Sequence, residues 1–318
     1  MMDIFAEPLL VKRILYGLSS NELCARAGKD EIPNKLGVPL YHTGIKSRSA
    51  AFTEIIYEPN DEQMRRIREV EGHLRQAELI CVERNIGQNQ VNTFKVRYYV
   101  TKDYARLAYM FHENFFPPSE GVEPDILVID VPEWPERKVY VCPRQKVTFI
   151  LGTDYYGEAK MASLRHAMHI MREERDGLGV HAGSKLYRFF IDGELVEKGA
   201  LIFGLSGTGK TTITCNDHHL SPPEGIQILQ DDINMLTREA SIYGTERNFY
   251  IKTDSIMEQP GLLRAASDPG AILENVYVDE DGEVDFNNFS VSTNGRAITP
   301  RHKILHTAES IDLPRLDI

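Results

Sequence analysis

Cysteine is scarce in this 318-residue chain, and its four copies, Cys24, Cys81, Cys142 and Cys215, stand far apart with no C-x-x-C pair. That spacing argues against a disulfide framework and a zinc site, and it fits a reducing compartment. Basic charge is also in deficit: 36 Lys and Arg against 47 Asp and Glu leave a formal net charge of -11. There is no electrostatic footprint for nucleic acid or an anionic membrane, so an anionic ligand must be met by a local basic pocket. No apolar run approaches the ~18 residues that a membrane span needs. The N-terminal stretch, MMDIFAEPLLVKRILYGLSS, lacks the apolar core and cleavage site of a signal peptide. The expected location is cytoplasmic. Internal repeats and low-complexity tracts are missing too. The remainder is an ordinary globular composition, 42% hydrophobic and 26% charged, over a length that suits one large α/β domain or two smaller ones.

Against these absences, the stretch LIFGLSGTGKTT at 201–212 stands out. Gly204, Gly209, Lys210 and Thr211 fit G-x-x-x-x-G-K-[ST], the phosphate-binding loop. Glycines free the backbone to turn successive N–H groups into one anion-sized nest, and the helix expected to open near Lys210 adds its positive end. In that motif the lysine bridges the β- and γ-phosphates and the threonine hydroxyl sits on a divalent metal. The apolar run Ala200–Phe203 leads into the loop as a buried strand would. After one short helix, Ile226–Leu229 forms a second short strand ending in Asp231-Asp232, where an open α/β sheet places ligand groups. Carboxylates there hold a divalent metal directly or through water, complementing Thr211. Many switches and motors with this loop interpose longer stretches, so the compact unit favours a phosphoryl-transfer enzyme.

The rest of the chain alternates. Residues 61–78 read as a charged helix with a solvated Arg/Glu face; ELICVER, TFKVRYYV, DILVIDV and KVTFILGT read as strands, with a helix from Asp103 to about Asn114. Residues 161–175 carry Met161, Leu164, Met168 and Met171 at helical spacing, a core stripe. LYRFFID is a strand ending at an Asp192-Gly193 turn, and after the paired aspartates come NFYIKT and a hairpin turning at Asp281-Gly282. The class is α/β.

Taken together, GLSGTGKTT, the DD strand, GTDYYGEAK (152–160), GAILENVYVDEDGEVDFNN (270–288) and TNGR (293–296) resemble the ATP-dependent phosphoenolpyruvate carboxykinase family, over most of the chain from about residue 40. The resemblance implies an N-terminal substrate-side α/β domain, 1–185, and a nucleotide-binding domain, 186–318, that lacks the family's C-terminal stretch. It implies the reaction of oxaloacetate with ATP to give phosphoenolpyruvate, CO2 and ADP, with Mg2+ and Mn2+ as cations. Carried over by motif, Gly204, Leu205, Ser206, Gly207, Thr208, Gly209, Lys210, Thr211 and Thr212 hold the nucleotide's phosphates, with Lys252 nearby. Asp232, His181 and Thr211 are metal ligands, and Asp231 lies close to the metals. Lys160 holds substrate and phosphate, Tyr155 and Arg48 contact the substrate, and Arg296 reaches the transferring phosphate.

This sequence departs from the family at informative places. The family's second lysine, a manganese ligand, is Met161 here, and its M-H-C-S-A-N segment reads V-H-A-G-S-K. The chain ends shortly after Arg296, so a second chain supplying the lid and adenine pocket is one expectation. Two other readings stay open: a phosphotransferase using Asp231 or Asp232 as base toward a hydroxyl, and a nucleotide-binding subunit without chemistry.

Overall fold

The run Ile126–Val131 is buried at all six positions, so the strand it forms needs cover on both faces. The computed structural model describes residues 11–89, 92–204 and 208–317, and in it this strand is the centre of a seven-stranded mixed sheet. In chain order the strands of the protein are β1 Arg13–Leu15, β2 Leu40–Tyr41, β3 Thr53–Ile55, β4 Glu78–Ile86, β5 Phe94–Thr101 and β6 Ile126–Val131. There follow β7 Lys138–Cys142, β8 Val147–Leu151, β9 Leu178–Ile191, β10 Glu194–Phe203, β11 Gly225–Gln230 and β12 Ile233–Leu236. The last are β13 Ile242–Gly244, β14 Phe249–Lys252, β15 Ile272–Glu274, β16 Tyr277–Val278, β17 Val284–Asp285 and β18 Arg296–Thr299. The helices are α1 Ser20–Ala27, α2 Asp61–Leu74, α3 Ala105–Asn114, α4 Tyr156–Glu174, α5 Lys210–Cys215 and α6 Pro260–Ala266. None is long and apolar enough to cross a membrane among the described residues.

The first sheet runs β1-β4-β5-β6-β8-β7-β3 and feeds two cores from alternate residues. Ile80, Val82, Val96, Tyr98, Val100 and Val128 pack with the apolar sides of α3 and α4. Leu79, Cys81, Tyr99, Leu127 and Ile129 pack with the Met64, Ile67, Val70 and Leu74 stripe of α2. The opposite face of α2 is the expected solvated one, where Arg65 pairs with Glu62 and Glu69, each at 2.6 Å. A capping box of Asn60 and Gln63 starts this helix. The helix ends at Leu74, short of residue 78, because Glu78 already pairs with Arg13 in the sheet.

α4 carries a buried histidine that makes this unit acid-sensitive. His166 is 1% exposed, with Nε2 2.9 Å from Thr148 Oγ1. Burial pushes its pKa down to about 4. Below pH ~6.5 the unfolded chain takes up a proton that the folded protein refuses. Stability should therefore fall as pH drops from 6.5 to 4, by on the order of 3 kcal/mol from this group. Urea unfolding at pH 7 and pH 4.5 tests this; His166→Gln should flatten the difference.

The site-bearing part is organised around β9, a fourteen-residue strand. β10 runs along one edge of it, antiparallel, from Ala182 to Ile191. The other edge is shared by β11, against Ser184 to Arg188, and β12, against Leu178 to His181. β13 completes the sheet beside β12. The expected turn at Asp192-Gly193 joins β9 to β10, with φ +51° and +86° at the two residues. The expected division between residues 185 and 186 falls inside β9, which is hydrogen-bonded on both sides there. A third sheet, β14-β18-β15-β2, brings Lys252 and Glu274 into register on either side of Arg296. The hairpin expected at Asp281-Gly282 is the small β16–β17 pair.

Candidate functional site

The phosphate loop leaves β10 at Phe203 and returns at Gly209, the residue before α5. Gly209 has φ +88°, a left-handed turn that a side chain would strain. Leu205, Ser206 and Gly207 lie outside the described residues; Thr208 and Thr212 are exposed. Lys210 opens α5 with its Nζ 2.8 Å from the Gly204 carbonyl, which accepts from it. On the next residue, the Thr211 hydroxyl donates to Asp231 Oδ2 at 3.1 Å. α5 can sit this close to β9 because position 183 is glycine: a Cβ there would lie 2.0 Å from Thr214 Oγ1.

Asp231 and Asp232 occupy a break in pairing. Gln230 pairs with Ser184 and Ile233 with His181, so the two aspartates stand opposite Ala182 and Gly183 without ladder partners of their own. Freed from the sheet, their carboxylates point at the groups around them. His181 Nε2 lies 2.8 Å from Asp232 Oδ1. Lys160 Nζ lies 2.5 Å from Asp232 Oδ2 and 3.0 Å from Glu246 Oε1.

Burial and charge set the protonation of this cluster. Burial, then the charge of Asp232, pushes the Asp231 carboxyl up to about 7. Burial works against Asp232 as well, yet Lys160 and His181 hold its pKa well below the usual carboxylate range. Burial likewise opposes the Lys160 ammonium, and Asp232 with Glu246 outweighs it, so the lysine stays charged. Glu246, raised by burial, also accepts from Asn114 Nδ2 at 2.8 Å.

From Lys160 the contacts continue toward the expected substrate side. The Tyr250 ring lies 5.2 Å from Lys160 Nζ and 5.2 Å from the Arg296 guanidinium. Tyr155 lies near enough to Arg296 to favour its charged form, and the Tyr155 hydroxyl accepts from Asn294 Nδ2 at 3.1 Å. Arg296 Nε is buried without a hydrogen-bond partner among the described residues. Thr211, Asp231, Asp232, His181, Lys160, Arg296 and Tyr155 thus form one continuous cluster.

Two expected residues stand at its margin. Arg48 is exposed, 3.9 Å from the buried Glu158 carboxylate, which also accepts from the Ser49 N–H at 2.7 Å. Lys252 is in register with Arg296, but its exposed amine lies 3.4 Å from Asp254. Met161 packs against the first core beside Lys160, a thioether at the position of the family's ligand lysine.

Sequence reasoning missed the network that braces this cluster. Buried Arg106 donates to Asp154 Oδ2 at 2.7 Å and faces Glu274 at 3.9 Å. Glu274 accepts from the Tyr156 N–H and the Tyr250 hydroxyl, each at 3.0 Å. Asp154 also accepts from the Gly44 and Ile45 N–H groups, fastening the loop that carries Arg48. Glu246 and Asn114 carry no local motif, and Glu274, though inside the 270–288 segment, was given no role; a charged residue inside the apolar run AILENV was the one available signal, and only for Glu274.

A family model described as phosphoenolpyruvate carboxykinase matches residues 53–313. The phosphoenolpyruvate carboxykinase (ATP) of Aeropyrum pernix is 44% identical over 237 residues, 74% of this chain and 48% of that protein. The protein of the same name from Christiangramia forsetii is 33% identical over 162 residues, 50% of this chain and 28% of its own length. One from Staphylococcus aureus is 29% identical over 215 residues, covering 61% and 37%. The chain spans about half the length of the first of these relatives. The second chain expected from the sequence has no support in these comparisons.

Proposed function

Because the chain belongs to the phosphoenolpyruvate carboxykinase family, we propose that it serves the ATP-dependent reaction: oxaloacetate and ATP give phosphoenolpyruvate, CO2 and ADP. One observation supports this reading above the plain phosphotransferase: the Thr211–Asp231 pair adjoins Asp232, which meets Lys160, and the Tyr250 ring links Lys160 to Arg296, with Tyr155 nearby. A kinase acting on a hydroxyl needs only the first half of that cluster. In the proposed reaction the bond to the departing carboxylate breaks, its electron pair becomes an enolate, and the enolate oxygen takes the γ-phosphoryl group as ADP leaves.

The residues present offer two candidate cation pairs, although no group of three or more His, Cys, Asp or Glu side chains gathers among the described residues. Asp231 Oδ1 is buried and unpartnered among the described residues, beside the Thr211 hydroxyl, a hard oxygen pair suited to Mg2+. His181 and Asp232 offer one nitrogen and one oxygen, a pair suited to Mn2+. When bound, these ions supply positive charge where the enolate and the phosphates carry negative charge. Lys210 and the loop backbone would hold the β- and γ-phosphates. The charged Lys160 would neutralise the oxygens that pass between substrate and nucleotide, and Arg296 would meet the transferring phosphate. Tyr155 and Arg48 would orient the carboxylates of oxaloacetate.

The assay is phosphoenolpyruvate formation from oxaloacetate and ATP with added manganese. The parent should turn over, and His181→Ala should lose activity while binding ADP as before. Equal, non-zero activity in the two proteins would sink the enolate-site reading, and an inactive parent would overturn the assignment itself. With one protein nitrogen in the manganese pair, Met161→Lys should tighten manganese several-fold, roughly the effect of adding a ligand to a thin site. Paramagnetic titration of free manganese checks it.

A further inference from the structure

Lys185, the last residue of the V-H-A-G-S-K segment, is 0% exposed and has no role in the cluster described above. Strand periodicity puts it on the same face of β9 as His181 and Gly183. His181 reaches Asp232, Gly183 lies bare against Thr214 of α5, and Lys185 reaches the far end of that helix. Its Nζ donates to the carbonyls of Ile213 at 2.8 Å and Asn216 at 2.5 Å, and lies 3.0 Å from His218 Nε2. The Tyr187 ring flanks it at 5.1 Å. Three donors thus meet three groups at the C-terminal end of the helix whose first two residues are Lys210 and Thr211.

Placing an ammonium here is costly. Burial pushes its pKa down to about 8, with Cys215 and Asp217 only partly opposing. An apolar side chain of similar length would avoid that cost, but it would leave the last-turn carbonyls of α5 without partners. A helix of six residues is not stable by itself, so its direction depends on its contacts with the sheet, at Thr211 and Thr214 as well as here.

We propose that Lys185 is a positioning residue for phosphate binding: it pins the last turn of α5 to β9 and so sets Lys210 and Thr211 against Asp231. The proposal rests on the reading that the loop at 204–211 holds a phosphate chain.

The test is calorimetric titration of inorganic pyrophosphate and of ADP, with magnesium, into the parent, Lys185→Met and His218→Ala. Each is measured where circular dichroism reports full folding. Lys185→Met should weaken both ligands by the same factor, about tenfold or more. His218→Ala removes one acceptor at an exposed position and should weaken both about two- to threefold. A folded Lys185→Met protein that binds pyrophosphate as tightly as the parent overturns the proposal. Where that variant does not fold, His218→Ala decides, and unchanged affinity there overturns it. A parent that binds no pyrophosphate fails at the phosphate loop itself, a different result from a parent that binds and variants that bind equally.

Discussion

Lys210→Ala is expected to weaken ATP and ADP binding by about a hundredfold, as the loss of a charge-assisted bond to phosphate predicts. The fold should survive. Lys210 is at the start of α5, 9% exposed, and its tip crosses the loop to the Gly204 carbonyl rather than entering a core cluster. A neutral carbonyl is a weaker partner for an ammonium than a phosphate oxygen, so the lysine gains by exchanging one for the other. Thr211 and Asp231 are untouched by the substitution, so a magnesium-dependent residue of affinity should remain. Calorimetry with ADP, with and without magnesium, measures both effects. Unchanged affinity in the variant would remove the phosphate-loop assignment.

The second large effect is expected at Lys160. Replacing it with methionine leaves the almost fully buried Glu246 without its cation, and Asp232 with His181 alone. Breaking a buried pair by removing one partner costs about 3–5 kcal/mol, because the remaining charge is uncompensated. Turnover should fall below detection. The two losses are separable. In Lys160→Met/Glu246→Gln the stranded charge is gone, so most of the stability should return. Activity should not return, because the cation itself is missing. Urea midpoints and phosphoenolpyruvate formation for the single and double variants decide it. A double variant that regains activity would show that Lys160 acts only on the fold.

Much of this was readable in advance because it is local. The loop pattern, the strand before it and the aspartate pair after it are neighbours in sequence, and each has a backbone reason for its residue types. The solvated face of α2 and the Asp281-Gly282 hairpin are local in the same sense. His181 came from a family resemblance alone, and the structure puts it 2.8 Å from Asp232 of the aspartate pair. What escaped was decided by distant pairing. β7 is the exception, a local hairpin partner of β8 whose sequence, KVYVC, follows a proline- and charge-rich stretch that reads as loop. β12 takes its place only because β9 is long enough to have a free edge after β11 ends. Glu246 meets Lys160 and Asn114 across three separate elements, and no spacing in the sequence encodes that meeting. Arg48 could be placed by motif, but not its position beside Glu158 at the margin of the cluster.

The period of two along β9 makes its first half intolerant of changes in length. His181 must face the aspartates, Gly183 must stay bare beneath α5, and Lys185 must reach the end of that helix. Deleting one residue at 182 would turn Lys185 to the opposite face and put a side chain where α5 needs none. The Asp192-Gly193 turn, ten residues further on, bears no such constraint, since its side chains are exposed and only the hairpin depends on it. In a collection of natural variants, gaps and insertions should therefore gather at 190–196 and be absent from 178–186, even where residue identities in the second interval drift.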